Sequence, residues 1–197
     1  VRQLPNALKE YINECYHVLP VDKNNLNLTE EKNSTHVHIK LADRDFDNIF
    51  CFSIDKEKTK NSKCAVGNNI FPFFNASVAG LCIKNDFTLV HQLGNKISIL
   101  FIELKSNDTD GYLKQLQSGK LFFQFVIEKI KLCNSDFQDI DNHFECKYVL
   151  FCLPRKTAKK FNSTQTRKPK KTELDGLPID YHDINKTYHL SHLLNNL

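Results

Sequence analysis

Apolar and polar positions along this chain alternate between two periods, and the switches mark out its elements. From Leu4 to Leu19, Leu8, Tyr11, Ile12, Cys15, Tyr16 and Leu19 recur at helical spacing. That spacing predicts a helix over 4–19, with Pro5 in the first turn, Gln3 or Asn6 as polar caps and Pro20 as the stop. Glu10 and Glu14 lie four apart and share one face of it. Residues 21–32 are polar and asparagine-rich and read as loop, whereas 36–41 alternate as a strand does and 48–54 form a second strand candidate. A lysine-rich turn over 55–63 follows, then an aromatic run at 70–74 that Pro72 confines to an edge or loop, then a short apolar strand at 78–83.

The clearest pattern lies between Asp86 and Lys105. Phe87–Gln92 and Ile97–Ile102 are β-branched and aromatic, as strands prefer, and Gly94-Asn95 between them is a two-residue turn signal. With those two residues as the loop, Leu93 faces Lys96 and the pairing runs outward until Asp86 stands opposite Glu103. Lys105, two residues on, projects from the same face as Glu103. Opposed Cβ atoms sit about 5 Å apart, and like charges so placed destabilise a sheet. A divalent cation would relieve the repulsion, since carboxylate oxygens are what Mg²⁺ prefers; Lys105 alone would offset part of it.

Beyond the hairpin, 106–109 offer helix caps and 110–132 carries Leu113, Leu116, Phe123, Ile127 and Ile130 as a helical stripe, with Gln115 off the stripe one turn in. Residues 147–153 form a strongly apolar strand of the kind buried at the centre of a sheet. The tail from Tyr181 carries His182, His189 and His192 and ends in a short helix. The elements predict an α/β fold with a mixed sheet flanked by helices. At 197 residues, with 41% hydrophobic content and 15 Phe, the chain reads as one domain over 1–197 with a packed core.

Charge changes the picture at one place. The net charge is +4, yet Arg155, Lys156, Lys159, Lys160, Arg167, Lys168, Lys170 and Lys171 crowd into 154–171 without an acid among them. Setting those eight aside leaves 19 basic against 23 acidic residues, so the positive character is local. Such a segment suits a phosphate backbone or another anionic partner, or serves only as a solvated loop. The seven cysteines are odd in number and contain no Cys-x-x-Cys, which predicts reduced thiols in a cytoplasmic protein. Cys133, His143 and Cys146 have no common zinc spacing. Neither a membrane-length apolar span nor a secretory leader is visible in the sequence. A Gly-x-Ser-x-Gly motif is absent, which argues against a serine hydrolase.

Asp86, then Glu103-Leu104-Lys105, then a helix bearing Gln115-Leu116, resembles the PD-(D/E)XK nuclease superfamily, with its restriction-endonuclease-like αβββαβ core. The likeness covers about residues 78–153, with 78–83, the Asp86 strand and the Glu103 strand as its three strands. It implies Mg²⁺ (or Mn²⁺) held by Asp86, Glu103 and the Leu104 carbonyl, with Lys105 and Gln115 as catalytic partners and Glu14, or Glu10, as the upstream helical acid. It implies phosphodiester hydrolysis in nucleic acid, DNA foremost, with the basic segment on phosphates. It implies a homodimer or a sensor partner, and a bacterial defence or restriction role. The alternative is a nucleic-acid-binding or protein-interaction domain that keeps the fold without the chemistry. Two positions depart from the pattern: Asn85 stands where the family has Pro, and Gly119 where a Gln-x-x-x-Tyr sequence would place Tyr.

Overall fold

The structure, a computed structural model, describes residues 3–30, 35–54, 77–78, 80–106, 111–153 and 173–195. The basic segment, Cys64, the aromatic run at 70–74 and the turn expected at 55–63 lie outside them.

Six strands form one mixed sheet. β3 (Ile49–Phe52), β4 (Phe87–Leu93) and β5 (Lys96–Lys105) run antiparallel in sequence; β6 (Phe144–Cys152) and β8 (Leu177–Asp183) then join β5 in parallel, and β7 (Glu173–Leu174) closes the edge. β1 (Asn25–Glu30), β2 (Thr35–Lys40) and β9 (Thr187–His189) make a second, three-stranded sheet. α1 (Leu4–Tyr11) and α2 (Tyr112–Cys133) cover one face of the large sheet, and the small sheet with α3 (Leu190–Leu194) covers the other. The fold is mixed α/β. No helix among the described residues is long and apolar enough to cross a membrane.

Alternation along β4 to β6 sorts side chains between the two faces. Val90, Ile97, Ile99, Phe101 and Tyr148 pack under α1 and α2, against Leu8, Leu116, Phe123 and Ile127. Leu89, Leu100, Ile102, Leu104, Val149 and Phe151 pack against Leu26, Leu28, Val37 and Ile39 of the small sheet and Leu190 and Leu193 of α3. Cover on both sides explains why β4 and β5 are buried almost throughout.

The hairpin register is the one the turn dictates: Leu93 pairs with Lys96 and Phe87 with Ile102. Gly94 supplies the left-handed φ of +61° and Asn95 does not, the glycine-first order of a tight hairpin. α2 keeps the expected stripe, with Leu116, Phe123, Ile127 and Ile130 buried, but its N-cap is Gly111 at φ +78° rather than a polar side chain of 106–109.

Five expectations need correction. The first helix stops at Tyr11, because Ile12 turns extended and the Asn13 side chain accepts from the Cys15 N–H, starting a separate 3-10 turn at Glu14–Tyr16. Its N-terminus is satisfied from afar: the Leu4 N–H donates to Gln92 Oε1 at 2.8 Å. Residues 21–32, read as loop, hold β1, and the tail holds β8 and β9 before its helix. The described residues within 78–83 form turns, so β3 is the strand that precedes and pairs with β4. Cys15 is disulfide-bonded, so the reading of seven reduced cysteines fails there; Cys51, Cys82, Cys133, Cys146 and Cys152 are thiols.

One buried cation ties the C-terminal elements to the sheet. Lys147 is fully buried on the small-sheet face of β6, and its Nζ donates to Asp180 Oδ2 (2.9 Å), the Leu193 carbonyl (3.0 Å) and the Asn195 carbonyl (2.6 Å). All three of its protons have acceptors, which is what lets an ammonium stay buried. Lys147→Met strands two carbonyls at the end of α3. Urea unfolding should read a loss of about 3 kcal/mol, and proteolysis should open the chain near α3 first.

Candidate functional site

Asp86 sits just before the last β4–β5 pair, and the hairpin geometry brings it to Glu103 on the helix-covered face. The Asp86 N–H donates to Glu103 Oε2 at 3.3 Å, and the Leu104 N–H donates to Asp86 Oδ2 at 2.6 Å. Lys105 Nζ lies 2.9 Å from Glu103 Oε1 and donates to Gln115 Oε1 at 2.6 Å. A chain of contacts therefore runs Asp86, Glu103, Lys105, Gln115, from strand to strand to helix. Asp86 is 7% exposed and Glu103 1%, while the Lys105 side chain keeps 19% of its surface in solvent.

Burial raises the pKa of Glu103 most, the Asp86 charge raises it further, and Lys105 offsets only part, leaving it at about 8. When both acids are ionised they outnumber the ammonium, in a place where water screens them poorly.

Of the sequence-derived set, Asp86, Glu103, Lys105 and Gln115 come together. Leu104 joins through its amide, with its side chain buried on the opposite face. Glu14 stays exposed in the 3-10 turn and makes no contact with Asp86 or Glu103 among the described residues, and Glu10 is exposed on α1. No group of three or more His, Cys, Asp or Glu is arranged to hold a metal among the described residues, which leaves Cys133, His143 and Cys146 apart as well. Burial pushes the Cys146 thiol up to about 11, far from a reactive thiolate. Arg155 to Lys171 lie outside the described residues.

The two departures from the family pattern touch each other. Asn85 is 2% exposed and donates from Nδ2 to the Phe87 carbonyl (2.5 Å) and to Thr88 Oγ1 (3.2 Å). Its amide fills the place a side chain on residue 119 would need: a Cβ there would stand 2.4 Å from Asn85 Cγ. Ser118 Oγ donates to the Ile83 carbonyl beside it, at 2.5 Å. The segment leading into Asp86 is thus seated on the same helix that carries Gln115.

A second polar group, which no motif in the sequence announces, lies on the other face. His91 Nε2 lies 3.1 Å from Asp45 Oδ1, and His91 pairs across the hairpin with Ser98. The same turn register that placed Asp86 opposite Glu103 also places these two together. His189 and His192 are exposed, with rings 5.4 Å apart.

Compared with known protein families, curated proteins and solved structures, the chain has no match.

Two outcomes follow from this geometry. Glu103 holds a proton in the folded protein between pH 4.5 and about 8 that the unfolded chain releases, so its contribution is full below 4.5 and is lost as pH rises through 8. In EDTA, Glu103→Gln should therefore melt higher than the parent at about pH 9, by about 2–3 kcal/mol, with the difference vanishing in acid. For the helix contact, Gly119→Ala should cost about 2 kcal/mol in the parent and clearly less in an Asn85→Ala background. A double-mutant cycle by denaturant melts should give coupling of about 1 kcal/mol.

Proposed function

We propose that this chain is a metal-dependent nuclease hydrolysing phosphodiester bonds in nucleic acid, with DNA the foremost substrate, as the likeness to the PD-(D/E)XK superfamily implies. The observation that carries the reading is the buried Asp86–Glu103 pair with Lys105 held between Glu103 and Gln115. The order β3, β4, β5, α2, β6 within the large sheet also supports it, three antiparallel strands, a helix and a parallel strand, with α1 ahead of them and β1 and β2 of the second sheet inserted between.

The donor set fits a hard cation. Asp86 and Glu103 would hold Mg²⁺ or Mn²⁺, with the Leu104 carbonyl as a further oxygen, and deprotonated Glu103 needs added positive charge in its buried position. The ion would supply Lewis-acid charge that lowers the pKa of a water molecule and offsets charge on the phosphate. Lys105, fixed by Gln115 and still open to solvent on one side, would donate to the phosphate or to the attacking water. Arg155, Lys156, Lys159, Lys160, Arg167, Lys168, Lys170 and Lys171 would give sequence-independent phosphate contacts. A second copy or a sensor partner, and a defence role, belong to the same reading.

A second reading is a nucleic-acid-binding domain without catalysis, and one observation favours it: no third acid joins Asp86 and Glu103 among the described residues. The assay that separates them incubates the protein with plasmid, linear DNA and RNA in Mg²⁺, Mn²⁺ or EDTA. Cleavage should need the metal and fall by about 10²-fold or more in Lys105→Ala and Glu103→Gln, with folding retained. Retarded migration of nucleic acid without cleavage in any metal would support the binding domain, and metal-dependent cleavage surviving both substitutions would rule out this site.

A further inference from the structure

A cavity of about 940 Å³ opens between the two sheets, at the Gly94-Asn95 end of the hairpin and on the face away from the carboxylates. Ser98 lies five residues from Glu103 along β5, so the two places are about 17 Å apart along the strand. The volume is that of a small-molecule pocket.

Its floor is built of buried polar groups. His91 is 5% exposed and Ser98 3%, and they are direct partners across the hairpin. Asp45 orients the imidazole: Oδ1 meets His91 Nε2, and Oδ2 accepts the Ala42 N–H at 2.9 Å. A ring nitrogen aimed at a carboxylate carries the proton, so Nδ1 presents a lone pair. Burial lowers the His91 pKa below its usual range despite Asp45, which keeps the ring neutral at pH 7. Neither Nδ1 nor the Ser98 hydroxyl has a hydrogen-bond partner among the described residues, and both side chains line the cavity. Neither atom is sealed from solvent, so both are open to a ligand that enters the cavity.

The mouth carries positive charge. Lys40 and the 71%-exposed Arg44 stand there with His189, while Lys96 is engaged by Glu145 at 2.6 Å. Asp45 is committed to His91 and Ala42 and reaches Arg44 Nε only at 4.0 Å, and Asp43 is the other acid of the lining. Asn24, Asn25 and Asn195 add amide donors and acceptors along the wall.

We propose that this cavity is a binding site for a phosphorylated, hydroxyl-bearing small molecule of nucleoside-monophosphate size, with a hydroxyl on His91 and Ser98 and the phosphate at Lys40 and Arg44. A hydroxyl donates to the Nδ1 lone pair and accepts from Ser98, so one ligand group engages both side chains at once. The site is independent of the proposed nuclease chemistry, and binding is read without any cleavage assay.

Calorimetric titration of the full chain with adenosine monophosphate, ribose 5-phosphate, ribose and inorganic phosphate tests it. The two phosphorylated sugars should bind saturably and at least about tenfold more tightly than ribose or phosphate alone. Ser98→Ala, and separately the Lys40→Ala/Arg44→Ala pair, should each weaken binding about tenfold with an unchanged melting profile. His91→Gln is left for comparison, because it strands the Asp45 carboxylate and puts the fold at risk. The absence of saturable binding by either phosphorylated sugar up to about 10 mM overturns the proposal. So does inorganic phosphate binding as tightly as ribose 5-phosphate, or affinity untouched by both sets of substitutions.

Discussion

Two carboxylates, buried on adjacent strands with one ammonium between them and solvent, are the constraint on which this structure turns. Burial and mutual repulsion raise the Glu103 pKa to about 8, so the pair is a place where the fold tolerates stress rather than gains stability. Everything around it works to hold it. The Asp86 and Leu104 amides each take a carboxylate oxygen, Lys105 is fixed from the other side by Gln115, and Asn85 seats the approach to Asp86 on α2. Perturbed groups held by so many neighbours cluster at functional sites, and the stress on this pair is what the proposed cation would relieve.

How far this was legible in the sequence differs from element to element. The hairpin was readable because a two-residue turn fixes register outright, and register decides every opposed pair. α2 was readable because 22 residues give its stripe several turns to repeat. The first helix was overextended because Tyr11, Ile12, Cys15 and Tyr16 keep helical spacing across Asn13, where a side-chain cap competes with the helix. β1 was missed although Leu26 and Leu28 alternate with asparagines, because asparagine is a poor strand former until a partner such as β2 buries its neighbours. β8 and β9 depend on pairing with β6 and with β2, earlier in the chain, and on the Lys147–Asp180 contact, and no local period announces those.

The site followed the same division. Asp86, Glu103, Lys105 and Gln115 could be placed together because register and one helical turn suffice. The pairing of Asn85 with Gly119 could not, since it depends on how a helix lies across a sheet; in the sequence the two appeared as separate departures. They are one feature: a polar side chain ahead of the acid claims the space a larger residue on the helix would occupy.

The hairpin carries both candidate sites, and alternation keeps them apart. Asp86, Glu103 and Lys105 project under α2, whereas His91 and Ser98 project toward the small sheet. A slip of one residue in either strand would turn that strand's side chains to the opposite face, parting Asp86 from Glu103 and His91 from Ser98. Gly94, which makes the two-residue turn, thus fixes both the Asp86–Glu103 pair at the far end of the hairpin and the His91–Ser98 pair at the near end. The two places are linked by shared register even though about 17 Å of strand separates them.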